Sequence, residues 1–122
     1  MATDSRLILV IDDDEDLREM VEMVLSAEGF RVTSAANGAE ALERVRSEMP
    51  ALILLDMLMP VLDGWGFARE FRELHGRAAP LIVLTAGEDS RQRATDVAAD
   101  DLLAKPFHLE DLLAMVRKWF RT

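Results

Sequence analysis

The chain has 122 residues, with 14 Lys and Arg against 23 Asp and Glu and so a formal net charge of −9. That length suits one compact domain with one core, and a make-up of 50% hydrophobic and 30% charged residues excludes a disordered chain. The absence of cysteine excludes disulfides, thiolate zinc sites and a cysteine nucleophile, and an acidic surface repels the phosphate backbone of nucleic acids.

The longest apolar runs, 7–11 and 51–55, are far too short to cross a bilayer. Residues 1–4 lack the basic-then-apolar pattern of a secretion signal. The expectation is an acidic, cytoplasmic, single-domain protein.

In chain order, residues 6–11 form a branched apolar run that predicts a strand buried on both faces. Residues 14–28 place Leu17, Val21, Val24 and Leu25 at helical spacing, and Gly29 is a natural stop. A second strand is predicted over 30–35, then a helix over 37–48 capped by Asn37, with Ala41, Leu42 and Val45 inward. The third strand, 51–56, is apolar until its last residue. A third helix over 64–75 is weakened by two glycines at its start. A strand over 80–85, a weakly amphipathic helix over 89–98, a short strand over 102–104 and a helix over 109–120 complete the pattern. The last helix carries Leu109, Leu112, Leu113, Val116 and Phe120 on one face.

Five strand–helix repeats with short loops predict a doubly wound α/β domain, (βα)5, with a parallel sheet covered on both faces. Ligands of such sheets sit beyond the carboxyl ends of the strands. The residues there are Asp12-Asp13-Asp14, Asp56, Thr85-Ala86 and Lys105-Pro106. Each has an ordinary structural role open to it: a helix cap, a turn, a strand residue, a solvated lysine. For Asp14, Glu15 and Asp16 capping and the helix dipole suffice. Together, however, close carboxylates repel unless a cation neutralises them. Hard oxygen donors without His or Cys favour Mg²⁺, and a carboxylate–Mg²⁺ site beside a lysine and a hydroxyl suits a phosphoryl group.

The segments Ile8-Leu9-Val10-Ile11-Asp12-Asp13-Asp14, Leu55-Asp56-Met57-Leu58-Met59-Pro60 with Asp63-Gly64, Leu84-Thr85-Ala86 and Ala104-Lys105-Pro106-Phe107 come in order and at family-like spacing. In them the chain resembles the receiver domain of two-component response regulators, the CheY-like family, over nearly its whole length. The strand order 2-1-3-4-5 comes with that resemblance and not from the periodicity. The resemblance implies that Asp56 is the phosphoacceptor, taking its phosphoryl group from a phosphohistidine on a sensor histidine kinase or a histidine phosphotransfer protein. It implies Mg²⁺ held by Asp13, Asp56 and the backbone carbonyl of Leu58, with Asp12 acting through a bound water. Lys105, Thr85 and the backbone N–H of Ala86 would contact the phosphoryl oxygens, and Pro106 would follow a cis peptide.

Several positions depart from the family pattern. Leu102 stands where many members carry an aromatic side chain coupled to the threonine, and Ala98 where they often carry glycine. If position 98 needs a positive φ, alanine there costs about 1 kcal/mol. Leu58 and Gly87 occupy the positions that influence acyl-phosphate lifetime in the family. His75 and His108 read as solvated side chains, and no GxxxxGK loop points to ATP as the direct donor.

Two surfaces offer partners. Met20, Met23 and Ala27 widen the apolar arc of the first helix, as extra core or as a kinase-docking stripe. Met115 and Trp119 flank the core stripe of the last helix. They would pack against Leu102 or a neighbouring helix, close the core's edge, or form a face for output or receiver pairing. Residues 1–122 are expected to be receiver domain alone, without an output domain, nucleic-acid contact or membrane contact. Two other classes compete: a haloacid-dehalogenase-like phosphatase with Asp12 as nucleophile, which leaves Asp56 unexplained, and a pseudo-receiver that binds partners without phosphorylation.

Overall fold

The computed structural model describes residues 4–120. Its elements are β1 (Asp4–Ile11), α1 (Glu15–Ala27), β2 (Phe30–Ala35), α2 (Gly38–Ser47) and β3 (Leu52–Asp56), followed by α3 (Gly64–His75), β4 (Leu81–Thr85), α4 (Ser90–Asp96), β5 (Asp101–Ala104) and α5 (Leu109–Trp119). All pairings are parallel, and the sheet runs β2-β1-β3-β4-β5. Every predicted element is present, and α4 is shorter than the 89–98 expected for it.

Alternation along the strands decides which helix covers which face. Ile8, Val10, Leu52, Leu54, Ile82 and Leu84 point to one side, where Val21 and Leu25 of α1 and Leu112 and Val116 of α5 meet them. Leu9, Ile11, Ile53, Leu55, Leu81 and Val83 point to the other, against Ala41 and Val45 of α2 and Phe67 and Phe71 of α3. All of these strand side chains are fully buried, each worth roughly 1.5–3 kcal/mol of transfer free energy. Successive residues of β5 divide likewise, so Leu102 packs with the α2–α3–α4 core and Leu103 with the α1–α5 core. Met115 and Trp119 lie on the α5 side and close that core's edge, with the Trp119 indole donating to Asp101 at 3.2 Å. Their packing against Leu102 is thereby corrected: the sheet stands between them. Of the α1 stripe, Met20 is half-buried against the core, while Met23 and Ala27 are exposed.

The helix starts follow from their caps. Asp14, Asn37 and Asp63 accept hydrogen bonds from the backbone N–H of Leu17, Glu40 and Gly66. Of the two glycines of α3, Gly64 is there because backbone presses on it, and Gly66 faces the tip of the Leu62 side chain. A Cβ on Gly64 would stand 2.6 Å from Met57 Cα, and one on Gly66 2.4 Å from Leu62 Cδ1. That close approach lets α3 begin directly behind the loop that carries Asp56.

Among the described residues, two sit in the left-handed region without being glycine: Val61 at φ 71° and Ala98 at φ 50°. The second settles the question raised by the sequence: the turn keeps its positive φ and alanine bears the strain. Val61 is β-branched and 82% exposed, so packing repays nothing there. Val61→Gly is expected to raise stability by about 1 kcal/mol, and Ala98→Gly by somewhat less. Urea unfolding measures both, and a loss at either position would contradict the strain argument.

Candidate functional site

Register brings the predicted residues together. Ile11 lies beside Leu55, Asp56 beside Leu84, and Thr85 beside Ala104. Asp12, Asp56, Thr85 and Lys105 therefore emerge as neighbours at one sheet edge. The chain winds outward from β1 to β2 on one side and from β3 to β5 on the other, so the order reverses between β1 and β3. Asp12 and Asp56 sit at the ends of those two strands, where a doubly wound sheet opens its crevice.

Asp12 is fully buried and satisfied on every side. Its N–H donates to the Ala35 carbonyl at 3.1 Å, and its own carbonyl accepts from Arg18 Nη1 at 2.8 Å. Its carboxylate accepts from the Asp14 N–H at 3.0 Å and from Lys105 Nζ at 2.6 Å. Asp56 is 6% exposed, and Lys105 Nζ lies 3.6 Å from its Oδ1. Asp13 is exposed, and its carboxylate lies beside those of Asp12 and Asp56. Lys105 is fixed at its backbone, donating its N–H to the Thr85 carbonyl at 2.8 Å, and the Lys105–Pro106 peptide is cis as the resemblance implied. Leu58 is 55% exposed beside the site, and Ala86 is exposed as well.

The electrostatics follow from burial and crowding. Desolvation, reinforced by the charges of Asp12 and Asp13, pushes the Asp56 carboxyl up to about 6, against the pull of Lys105. Burial works against the Lys105 ammonium, yet its hydrogen bond and attraction to Asp12, joined by Asp56, hold its pKa above the ordinary lysine value. One cation thus serves three carboxylates, leaving a local excess of negative charge.

Oxygens of Asp12, Asp13 and Asp56 lie within 4.8 Å of one another. An all-carboxylate set with uncompensated charge and one exposed member fits a hard divalent cation such as Mg²⁺, which keeps water ligands and shuns nitrogen and sulfur. Mg²⁺ is therefore expected to raise the melting temperature, by about 1.4 kcal/mol in stability at roughly tenfold its Kd. Asp13→Ala should remove that response while slightly stabilising the metal-free fold. A variant that melts lower and still responds to Mg²⁺ would count against this donor set.

The sequence passed over two arginines that the fold brings to the site. Arg18 of α1 braces the Asp12 backbone. Arg93 of α4 donates from Nη1 to Thr85 Oγ1 at 2.8 Å and to the Ala86 carbonyl at 3.0 Å. Spacing could have hinted at Arg18, one helical turn past the cap, but nothing local marks Arg93. His108 is exposed, as the solvated reading expects, whereas His75 departs from that reading: it is half-buried, with its ring 5.4 Å from that of Phe71.

Fold and site define a doubly wound α/β domain built around a strand-end aspartate, a pair of further aspartates, a threonine and a lysine. Residues 8–117 match the model of the response regulator receiver domain family, and the chain belongs to that family. It is 44% identical over 116 residues to response regulator MprA of Mycobacterium ulcerans, an alignment covering 93% of this chain and 50% of that protein. The MprA proteins of Mycobacterium tuberculosis align at 43% identity with the same coverage, so the chain spans about half the length of these relatives. Among solved structures, chemotaxis response regulator CheY4 of Vibrio cholerae superposes with a TM-score of 0.87 at 30% identity, covering 96% of this chain and 100% of that one. The receiver domain of NtrX from Brucella abortus gives 0.84 at 28% identity, covering 94% and 98%. The chain is thus a receiver domain of two-component phosphorelay signalling.

Proposed function

We propose that Asp56 is the phosphoacceptor and that the donor is a phosphohistidine on a sensor histidine kinase or histidine phosphotransfer protein. The observation that carries this reading is the pairing of Asp56, buried at a strand end with a raised pKa, with an adjacent lysine and two further carboxylates. At neutral pH the Asp56 carboxylate is largely ionised yet poorly solvated, which favours it as a nucleophile. One of its oxygens attacks phosphorus in line, the P–N bond to the donor imidazole breaks, and the imidazole leaves with its electron pair. Lys105 stands within reach to balance charge on the phosphoryl oxygens, joined by the Thr85 hydroxyl and the Ala86 N–H.

Asp13, Asp56 and the Leu58 carbonyl would hold Mg²⁺, with Asp12 reaching it through water. The bound ion would supply positive charge to the transferring oxygens. Loss of the group to water at the same site would reset the domain.

An apolar hollow lined by Leu17, Met20, Ala86, Pro106 and Phe107 opens beside Lys105. Its position suits a docking helix of the donor. Output would pass to a partner, or to a second receiver, through the last helices. No helix among the described residues is long and apolar enough to cross a membrane, and a cytoplasmic setting fits this role.

The test is intact mass after incubation with acetyl phosphate. A Mg²⁺-dependent phosphoryl adduct is expected on the wild type and none on Asp56→Asn. No adduct on a folded wild-type protein would favour the pseudo-receiver. Steady hydrolysis of the donor by Asp56→Asn would favour the phosphatase.

A further inference from the structure

The guanidinium of Arg93 clasps the end of β4. One nitrogen donates both to the Thr85 hydroxyl, at 2.8 Å, and to the Ala86 carbonyl, at 3.0 Å. Among the described residues this is the hydrogen bond the Thr85 side chain makes; Asp12, Asp56 and Lys105 do not share that hydroxyl. Thr85 is 2% exposed, so water does not take the place of a protein partner.

The helix that carries Arg93 is short, and its other holds include the Trp65 indole, which donates to Asp96 at 3.0 Å, and the packing of Ala94 against the core. It runs only from Ser90 to Asp96, has no side-chain hydrogen bond at its N-cap, and buries one of its own residues, Ser90. The loop before it turns at Gly87, φ 95°, where a Cβ would meet nothing within 4 Å and the backbone has room to move.

We infer that Arg93 is a latch: it ties α4 to the unphosphorylated site through Thr85, and phosphorylation of Asp56 releases it. The inference rests on the receiver reading and extends it. A threonine side chain occupies staggered wells, and passing from one to the next carries Oγ1 by about 2 Å. A hydroxyl turned to a phosphoryl oxygen on Asp56 therefore forfeits the 2.8 Å contact with Arg93. The cost falls on α4, whose remaining ties on this side are the Ala86 carbonyl and the Ser90–Gly87 hydrogen bond of 2.8 Å. This gives a domain with Leu102 in place of an aromatic side chain a direct mechanical route from Thr85 to α4. Arg93 is thus a positioning residue, acting through Thr85.

Amide hydrogen exchange over residues 90–97 tests it, on wild type, Arg93→Met and Thr85→Ala, each with and without acetyl phosphate and Mg²⁺ and with adduct occupancy read by intact mass. Without phosphoryl donor, Thr85→Ala should exchange about fivefold faster than wild type in this segment, the factor expected for one lost hydrogen bond, and Arg93→Met, which also loses the bond to the Ala86 carbonyl, at least as fast. Exchange elsewhere should stay level. Phosphorylation should speed the segment in wild type and leave Arg93→Met unchanged at matched occupancy. Equal phosphorylation responses in wild type and Arg93→Met, or an unphosphorylated Arg93→Met that exchanges like wild type, would overturn the latch. If the wild type takes no phosphoryl group, the receiver reading fails instead, and the unphosphorylated comparison still decides whether Arg93 and Thr85 hold α4.

Discussion

Lys105→Ala is expected to lower the stability of the metal-free protein by about 3 kcal/mol, a fall of roughly 10 °C in melting temperature. Lys105 Nζ is the counter-charge of Asp12, 2.6 Å away, and Asp12 is fully buried. Removing the cation leaves that carboxylate uncompensated, with Asp56 and Asp13 beside it. Breaking a buried pair costs more than the pair is worth, because the charge left behind has lost its water. The lysine side chain keeps 22% of its exposure, so some water enters and the loss stays below that of a sealed pair. Mg²⁺ supplies the missing positive charge, so thermal melts should show the variant gaining more from the ion than wild type does. Equal melting of wild type and variant in a chelator would contradict the charge balance described above.

Asp56→Asn should act in the opposite direction and stabilise the metal-free protein at neutral pH by about 2 kcal/mol. The Asp56 pKa stands at about 6 in the folded chain against an ordinary 3.8, raised first by burial and then by Asp12. The folded state therefore binds the proton more tightly than the unfolded state. Its contribution to stability is complete below pH 3.8 and is lost as pH rises through about 6. Asparagine carries no charge, so the gain should be largest above pH 6 and shrink as the pH falls toward 4. Urea unfolding in a chelator across that range measures it. A gain independent of pH would assign the effect to packing and not to the carboxylate charge. The same variant should lose most of its response to Mg²⁺, since a neutral amide is a poor replacement in the donor set.

Much of this was legible in the amino-acid order, for reasons that are local. The strands are short branched runs ending abruptly in Asp12, Asp56 and Thr85, the pattern of a parallel sheet buried on both faces. Caps such as Asp14 and Asn37 act on the next three residues and are visible to inspection. What stayed hidden depends on distance through space. Arg93 meets Thr85 only because the turn at Gly87 folds α4 back over the strand end. Met115 and Leu102 were candidates for contact until the alternation of β5 placed them on opposite faces of the sheet. Of the glycines that weaken α3 as an isolated helix, Gly64 is required by the backbone of the Asp56 loop pressed against it, while Gly66 faces the Leu62 side chain. Val61 shows the limit from the other side: a β-branched residue disfavours a positive φ, and the loop imposes one regardless.

The central claim is that Asp56, and not Asp12 or Asp13, carries the phosphoryl group. The most direct measurement is borohydride reduction of acetyl-phosphate-treated wild-type protein, which converts an aspartyl phosphate to homoserine, followed by peptide mass mapping. Homoserine is predicted at position 56 alone, formed only when Mg²⁺ is present. Homoserine at position 12 would contradict that assignment and identify a phosphatase-type nucleophile in its place.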